Sequence, residues 1–199
     1  MNGTIICQSI FETVRKLVHN CMFLNAYSIG NAFTRIRKLA LAIDDTSFQL
    51  PQTQRNMETF GVSVNQNSSP CAMASSSSLF DVLNDMIIDA RIDSYNYGER
   101  KFAQEHLDES ECIGLKNDKL ILMDRAYPSY EIFQELLRRR LAFVVRLNST
   151  FSSITQRAGA DFIVDYKSRG YKEPVKLRIV RIVFDDGTVE TLATSLEVF

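Results

Sequence analysis

Apolar residues recur along this chain in two rhythms. Ile10, Phe11, Val14, Leu17, Val18 and Cys21 fall at the spacing of one helical face, and a second helical stretch over residues 31–38 ends in Arg35-Ile36-Arg37-Lys38. Leu39-Ala40-Leu41-Ala42-Ile43 then reads as a buried strand that stops at Asp44-Asp45-Thr46. Residues 51–70 are rich in Gln, Asn, Ser and Pro without an apolar period, which predicts a loop. Strands are predicted over 72–80, despite the run Ser75 to Ser78, and over 86–92. A helix over 98–109 has Phe102, His106 and Leu107 as its inner face.

The second half is patterned more sharply. Lys119-Leu120-Ile121-Leu122-Met123 is a buried strand ending on Asp124. Ser129 caps a helix over 130–140, whose Ile132, Phe133, Leu136 and Leu137 share a face. A strand over 141–147 follows at once. Beyond it, residues 162–166, 175–184 and 188–194 alternate as strands, with Asp185-Asp186-Gly187 as a hairpin turn. The pattern predicts a mixed α/β body with a β-rich tail.

Composition narrows the class. The chain has 199 residues and 45% hydrophobic side chains, enough for one domain with a real core. A membrane span needs about 20 apolar residues, and every apolar run here is far shorter. The first residues carry neither a basic segment nor a continuous apolar one, so no secretory signal is read and a cytoplasmic protein is expected, nucleoid-associated when bound to DNA. Cys7, Cys21, Cys71 and Cys112 are scattered, with only His19 and His106 as companions. Neither a zinc site nor a disulfide framework is legible, and all four read as small buried or half-buried hydrophobes.

The net charge of −1 averages over blocks of opposite sign. Residues 1–43 hold five bases against Glu12, a net +4. Residues 81–118 hold ten acids against four bases, a net −6, and residues 166–181 hold six bases against Glu173, a net +5. Solvated faces account for such blocks. So do basic patches that attract phosphate backbones around an acidic centre that attracts divalent cations.

Candidate chemistry lies where two buried strands each release an aspartate, Asp44 and Asp124. In open α/β sheets sites form at that edge, although an aspartate after a strand also serves as a turn former or helix cap. Were the strands neighbours, two converging carboxylates would suit a hard divalent ion and the two-metal phosphoryl-transfer layout.

The surrounding residues are more specific. Leu41-Ala42-Ile43-Asp44-Asp45-Thr46, followed by Leu50-Pro51, and Leu122-Met123-Asp124-Arg125-Ala126-Tyr127-Pro128-Ser129 together resemble the two aspartate motifs of the DDE transposases of bacterial insertion sequences, in the group named after insertion sequence four. Further similarity lies in Ser78 to Asp85, in Gly98-Glu99-Arg100, and from Arg178 through Glu190 to Leu196, so that the resemblance covers residues 31–196. It implies an RNase H-like mixed sheet with flanking helices and a β-rich insertion toward the C-terminus. The division expected is a helical N-terminal remnant that contacts DNA over 1–37, a partial catalytic core over 38–147 and the insertion region over 148–199.

The same resemblance implies metal-dependent DNA cleavage and strand transfer with Mg²⁺ or Mn²⁺, and Asp44 and Asp124 as catalytic, metal-binding carboxylates. Arg125 and Tyr127 match the family's pocket residues and are expected to bind nucleic acid, although a surface ion-pair partner and a core aromatic are the plain alternatives. Lys167, Lys172, Lys176 and Arg178 are the candidate DNA contacts in the basic block. DNA, as transposon ends and target, and a second copy of the chain are the partners expected, with no membrane.

The sequence also departs from the pattern. The family's third carboxylate is a glutamate in a helix patterned Y-x-x-R-x-x-x-E after the last insertion strand, and this chain ends at Phe199 just after that strand. A truncated copy without the third carboxylate, inactive by itself, is the resulting expectation. Tyr166, Arg169 and Glu173 reproduce the spacing, but Gly170 and Pro174 place Glu173 in a turn, where no helix presents it. Asp45 replaces the usual Gly and Ala126 another. A non-catalytic DNA-binding remnant and an RNase H-type nuclease, which would draw on Asp45 for a further acid, are the competing readings.

Overall fold

The computed structural model describes residues 39–64, 69–112 and 119–196. The helices expected over 10–25 and 31–38, with Cys7 and Cys21, lie outside these. Among the described residues, 42–64 and 69–112 form one compact unit, and 39–41 with 119–196 form a second.

The first unit is built on β3 (Cys71–Asp81), with β1 (Leu39–Gln49) on one side and β2 (Val62–Ser63) and β4 (Met86–Ser94) pairing along the other. β1 does not stop at Asp44. Its apolar burial ends at Ile43, yet its ladder continues to Gln49, because backbone N–H and C=O groups need partners whatever side chains they carry. Ser77 Oγ donates to the Asp44 carbonyl at 3.0 Å, Ser47 and Ser75 hydroxyls meet at 3.3 Å, and Leu50 N–H donates to Ala72 O at 2.9 Å. In β3 the serine run is no obstacle, since its inward hydroxyls find such acceptors; Ser75 Oγ also donates to Tyr95 O at 3.0 Å.

The predicted loop over 51–70 contains a helix, α1 (Gln54–Phe60), and β2. Its signals are capping ones rather than periodic ones. Thr53 Oγ1 accepts from Asn56 N–H, and Gly61 closes the helix at φ 97°, a left-handed angle that favours glycine. No residue of α1 is fully buried, which is why hydrophobic spacing missed it. The helix α2 (Glu99–Cys112) follows Gly98 and buries Phe102, Ala103, His106 and Leu107, as its pattern predicts. Cys71 is half-buried, but Cys112, expected to be buried or half-buried, is exposed at the end of α2.

In the second unit the strand order is β1-β5-β6-β9-β8-β7, with β1 represented by residues 39–41. β5 (Lys119–Met123) and β6 (Ala142–Leu147) are parallel, so a crossover must join them, and α3 (Tyr130–Arg138) supplies it. Ser129 Oγ accepts from Ile132 N–H at its start. The helix ends two residues before the predicted Arg140, which sits at φ 56° and turns the chain into β6. α3 buries Tyr130, Ile132, Phe133 and Leu136; each fully buried side chain of this kind contributes about 1.5–3 kcal/mol. Phe133 stacks at a tilt on Phe143 of β6, 5.7 Å between centroids.

The β-rich tail extends this same unit. β9 (Val189–Thr194) runs antiparallel to β6, β8 (Val175–Val183) to β9 and β7 (Asp161–Tyr166) to β8. The predicted turn is present, with Gly187 at φ 81° and Phe184 N–H donating to Thr188 O at 2.9 Å. Among the described residues no helix is long and apolar enough to cross a membrane.

Candidate active site

Each aspartate has its own setting. Asp44 is half-buried in the middle of β1, and its carbonyl is the acceptor for Ser77. Successive side chains of a strand leave on opposite faces, so Asp45 points away from the Asp44 face. Asp45 lines a separate open cleft of about 330 Å³ with Ser47, Ser75, Tyr95 and Asn96. That separation weighs against Asp45 as the further acid at the same site.

Behind Asp44 runs a chain of polar groups, buried at Ser77 and His106 and half-buried at Asp89, Arg91 and Glu105. His106, fully buried on α2, faces Ser77 Oγ through Nε2 at 3.1 Å and Asp89 Oδ2 through Nδ1 at 2.8 Å. Arg91 Nε donates to the same Asp89 oxygen at 2.8 Å and its Nη1 reaches Glu105 at 3.2 Å. Burial pushes the His106 imidazole below its ordinary value despite Asp89. Burial pushes the Asp89 carboxyl upward, but Arg91 and His106 outweigh it and hold Asp89 below the usual range.

Asp124 follows β5 directly and is 31% exposed. Arg146 of β6 reaches its Oδ1 through Nη1 at 3.4 Å. The same guanidinium grips Glu190 of β9, Nε to Oε2 at 2.7 Å, with a second contact from Nη2 to Oε1. Arg125 Nη2 donates to both Glu190 oxygens, at 2.7 and 2.9 Å. Burial works to raise the Glu190 carboxyl, but the two arginines hold it below its ordinary value, and Glu190 in turn raises Arg146. Asp124 and Arg125 are thus neighbours of a buried acid that the motifs did not single out. Its sequence signal is a charge at an inward position, since Glu190 shares the alternation of Leu192 and Thr194.

The remaining expected residues divide. Tyr127 is 1% exposed and belongs to the core of the second unit, the plainer of its two readings. Lys167, Lys172 and Lys176 are exposed on β8 and the connection before it. Arg178 is engaged instead, bidentate on Asp161 and donating to Leu196 O at 3.2 Å. Glu173 lies exposed in the β7–β8 connection, where its carbonyl accepts from Tyr130 OH at 2.5 Å, on no helix, as expected. Among the described residues no group of three or more His, Cys, Asp or Glu gathers as a metal cluster.

The family model for the transposase DDE domain matches residues 36–194. No curated protein sequence matches. Among solved structures, piggyBac transposase, in a synaptic complex with hairpin DNA, superposes with a TM-score of 0.51 at 14% identity, over 96% of this chain. The chain spans 41% of that transposase. Endonuclease V of Ciona intestinalis, solved with inosine-containing DNA, gives a TM-score of 0.35 at 10% identity, over 79% of this chain and 70% of that one. The likeness to the transposase bears out the fold expected from the sequence, mixed α/β of RNase H type.

Proposed function

Because the chain belongs to the transposase DDE domain family, we propose that it acts in DNA transposition, with Asp44 and Asp124 as the carboxylates that serve a divalent cation, Mg²⁺ or Mn²⁺. The observation that carries this reading is the family match, which spans both aspartate motifs and most of the described residues.

The donor chemistry fits. Hard divalent cations take oxygen ligands, and Mg²⁺ is commonly held by one or two carboxylates with water and substrate phosphate completing its shell. Asp124 is partly exposed, while its backbone is fixed by a strand whose Ile121, Leu122 and Met123 are buried. A bound cation supplies charge neutralisation at the phosphodiester. Arg146 balances Asp124 while the two groups are in contact. Arg125, 45% exposed and anchored by Glu190, offers its outer donors to a phosphate oxygen. Lys167, Lys172 and Lys176 add a sequence-independent attraction for the DNA backbone.

Titration of the protein with Mn²⁺ tests the assignment. Asp44→Ala and Asp124→Ala should each weaken binding by about tenfold or more, since even outer-shell partners of a metal site are worth that much. Binding that survives both substitutions overturns the ligand assignment. Duplex DNA binding that fails at every salt concentration overturns the DNA substrate.

A further inference from the structure

Ser77 has one hydroxyl proton and two neighbours that can take it. The Asp44 carbonyl, 3.0 Å away, can only accept. His106 Nε2, 3.1 Å away, accepts when bare and donates when protonated. On the far side of the ring, Nδ1 lies 2.8 Å from an Asp89 carboxylate oxygen, so a proton must sit between them. With Asp89 ionised, a neutral His106 therefore carries its proton on Nδ1 and leaves Nε2 bare. Ser77 then donates to His106, and the Asp44 carbonyl loses that donor. An imidazolium reverses the arrangement, because Nε2–H donates to Ser77 Oγ and the Ser77 proton turns to Asp44.

We propose that His106 is a positioning residue for Asp44: its protonation state decides whether the Ser77 hydroxyl donates to the Asp44 carbonyl. The consequence for cation binding rests on the reading of Asp44 as a ligand, but the coupling itself does not. His106 and Ser77 are among the most buried polar residues of the first unit, at 0% and 1% exposure, so solvent does not satisfy either in place of the other. The charged groups that face the ring are Asp89 and Arg91 from β4 and Glu105 from its own helix, with Glu109 held on Arg91. From β3 the facing group is Ser77; Asp81 of that strand is committed to the turn at Leu83 and Asn84. From β1 the group is Asp44, which enters through its carbonyl. The direction of the His106 shift is consistent with a neutral ring near neutral pH and with acidification handing the proton to Asp44.

The relay is tested by following the carbonyl ¹³C shift of residue 44 and the His106 ring nitrogens by NMR as pH falls. An Asp44→Asn background removes the residue's own titration. The carbonyl should inflect at the His106 midpoint. Ser77→Ala should abolish that inflection while the ring still titrates, and Ser77→Thr should keep it. Asp89→Asn should shift both midpoints together. A carbonyl that stays flat with Ser77 present, or inflects unchanged without it, overturns the proposal. In the unsubstituted protein, Mn²⁺ affinity should carry a His106-dependent limb of about two- to tenfold, the worth of one neutral hydrogen bond, which Ser77→Ala removes. Affinity indifferent to Asp44→Ala would defeat the ligand reading alone, because the carbonyl coupling is read without metal.

Discussion

Arg146 and Glu190 are diagonal neighbours on adjacent strands β6 and β9 and join through two nitrogens and two oxygens, with the Glu190 side chain only 6% exposed. Such a pair is costly to break from one side, because the survivor keeps its charge without its partner. Glu190→Gln should therefore lower stability by about 1–3 kcal/mol, less than for a fully buried pair since both arginines keep access to water. Urea unfolding at neutral pH measures it. An unchanged midpoint with unchanged slope would show that solvent replaces Glu190 at both guanidinium groups.

Glu135 predicts an acid limb. Hydrogen bonds from Arg138, against burial and reinforced by Arg139, hold its carboxyl at about 2 instead of 4.5. A folded-state value below the unfolded one means that the contribution is fully present above about pH 4.5 and drains away as pH falls toward 2. Glu190 and Asp161 are shifted in the same direction and add to the limb. In melting curves recorded from pH 5 down to about 2, Glu135→Gln should lose less stability than the unsubstituted protein. Parallel curves would refute the assignment to this residue.

The basic block separates into two kinds of residue. Lys167, Lys172 and Lys176 are exposed, and their joint replacement by Ala should weaken duplex DNA binding and flatten the slope of its salt dependence by about 0.9 for each phosphate no longer neutralised. Arg178→Ala should act mainly on stability, since its guanidinium ties β8 to Asp161 of β7 and to Leu196 O. Affinity measured at several salt concentrations, beside urea unfolding of both variants, distinguishes them. The reverse outcome would place the DNA on Arg178.

Much of this architecture was legible locally. A continuous apolar run located β5, Ser129 announced α3, and Asp185-Asp186-Gly187 announced the last hairpin, because caps, turns and apolar runs act over a few residues. The two aspartates were named by the residues around them. What the sequence left open depends on contacts between distant positions. β1 continues past Asp44 because β3 offers it a backbone ladder, and α1 forms with no residue fully buried. Glu190 meets Arg125 from 65 positions away, and His106 meets Ser77 from 29. A buried charge or imidazole must find its partner in three dimensions, and no spacing along the chain records which one it finds.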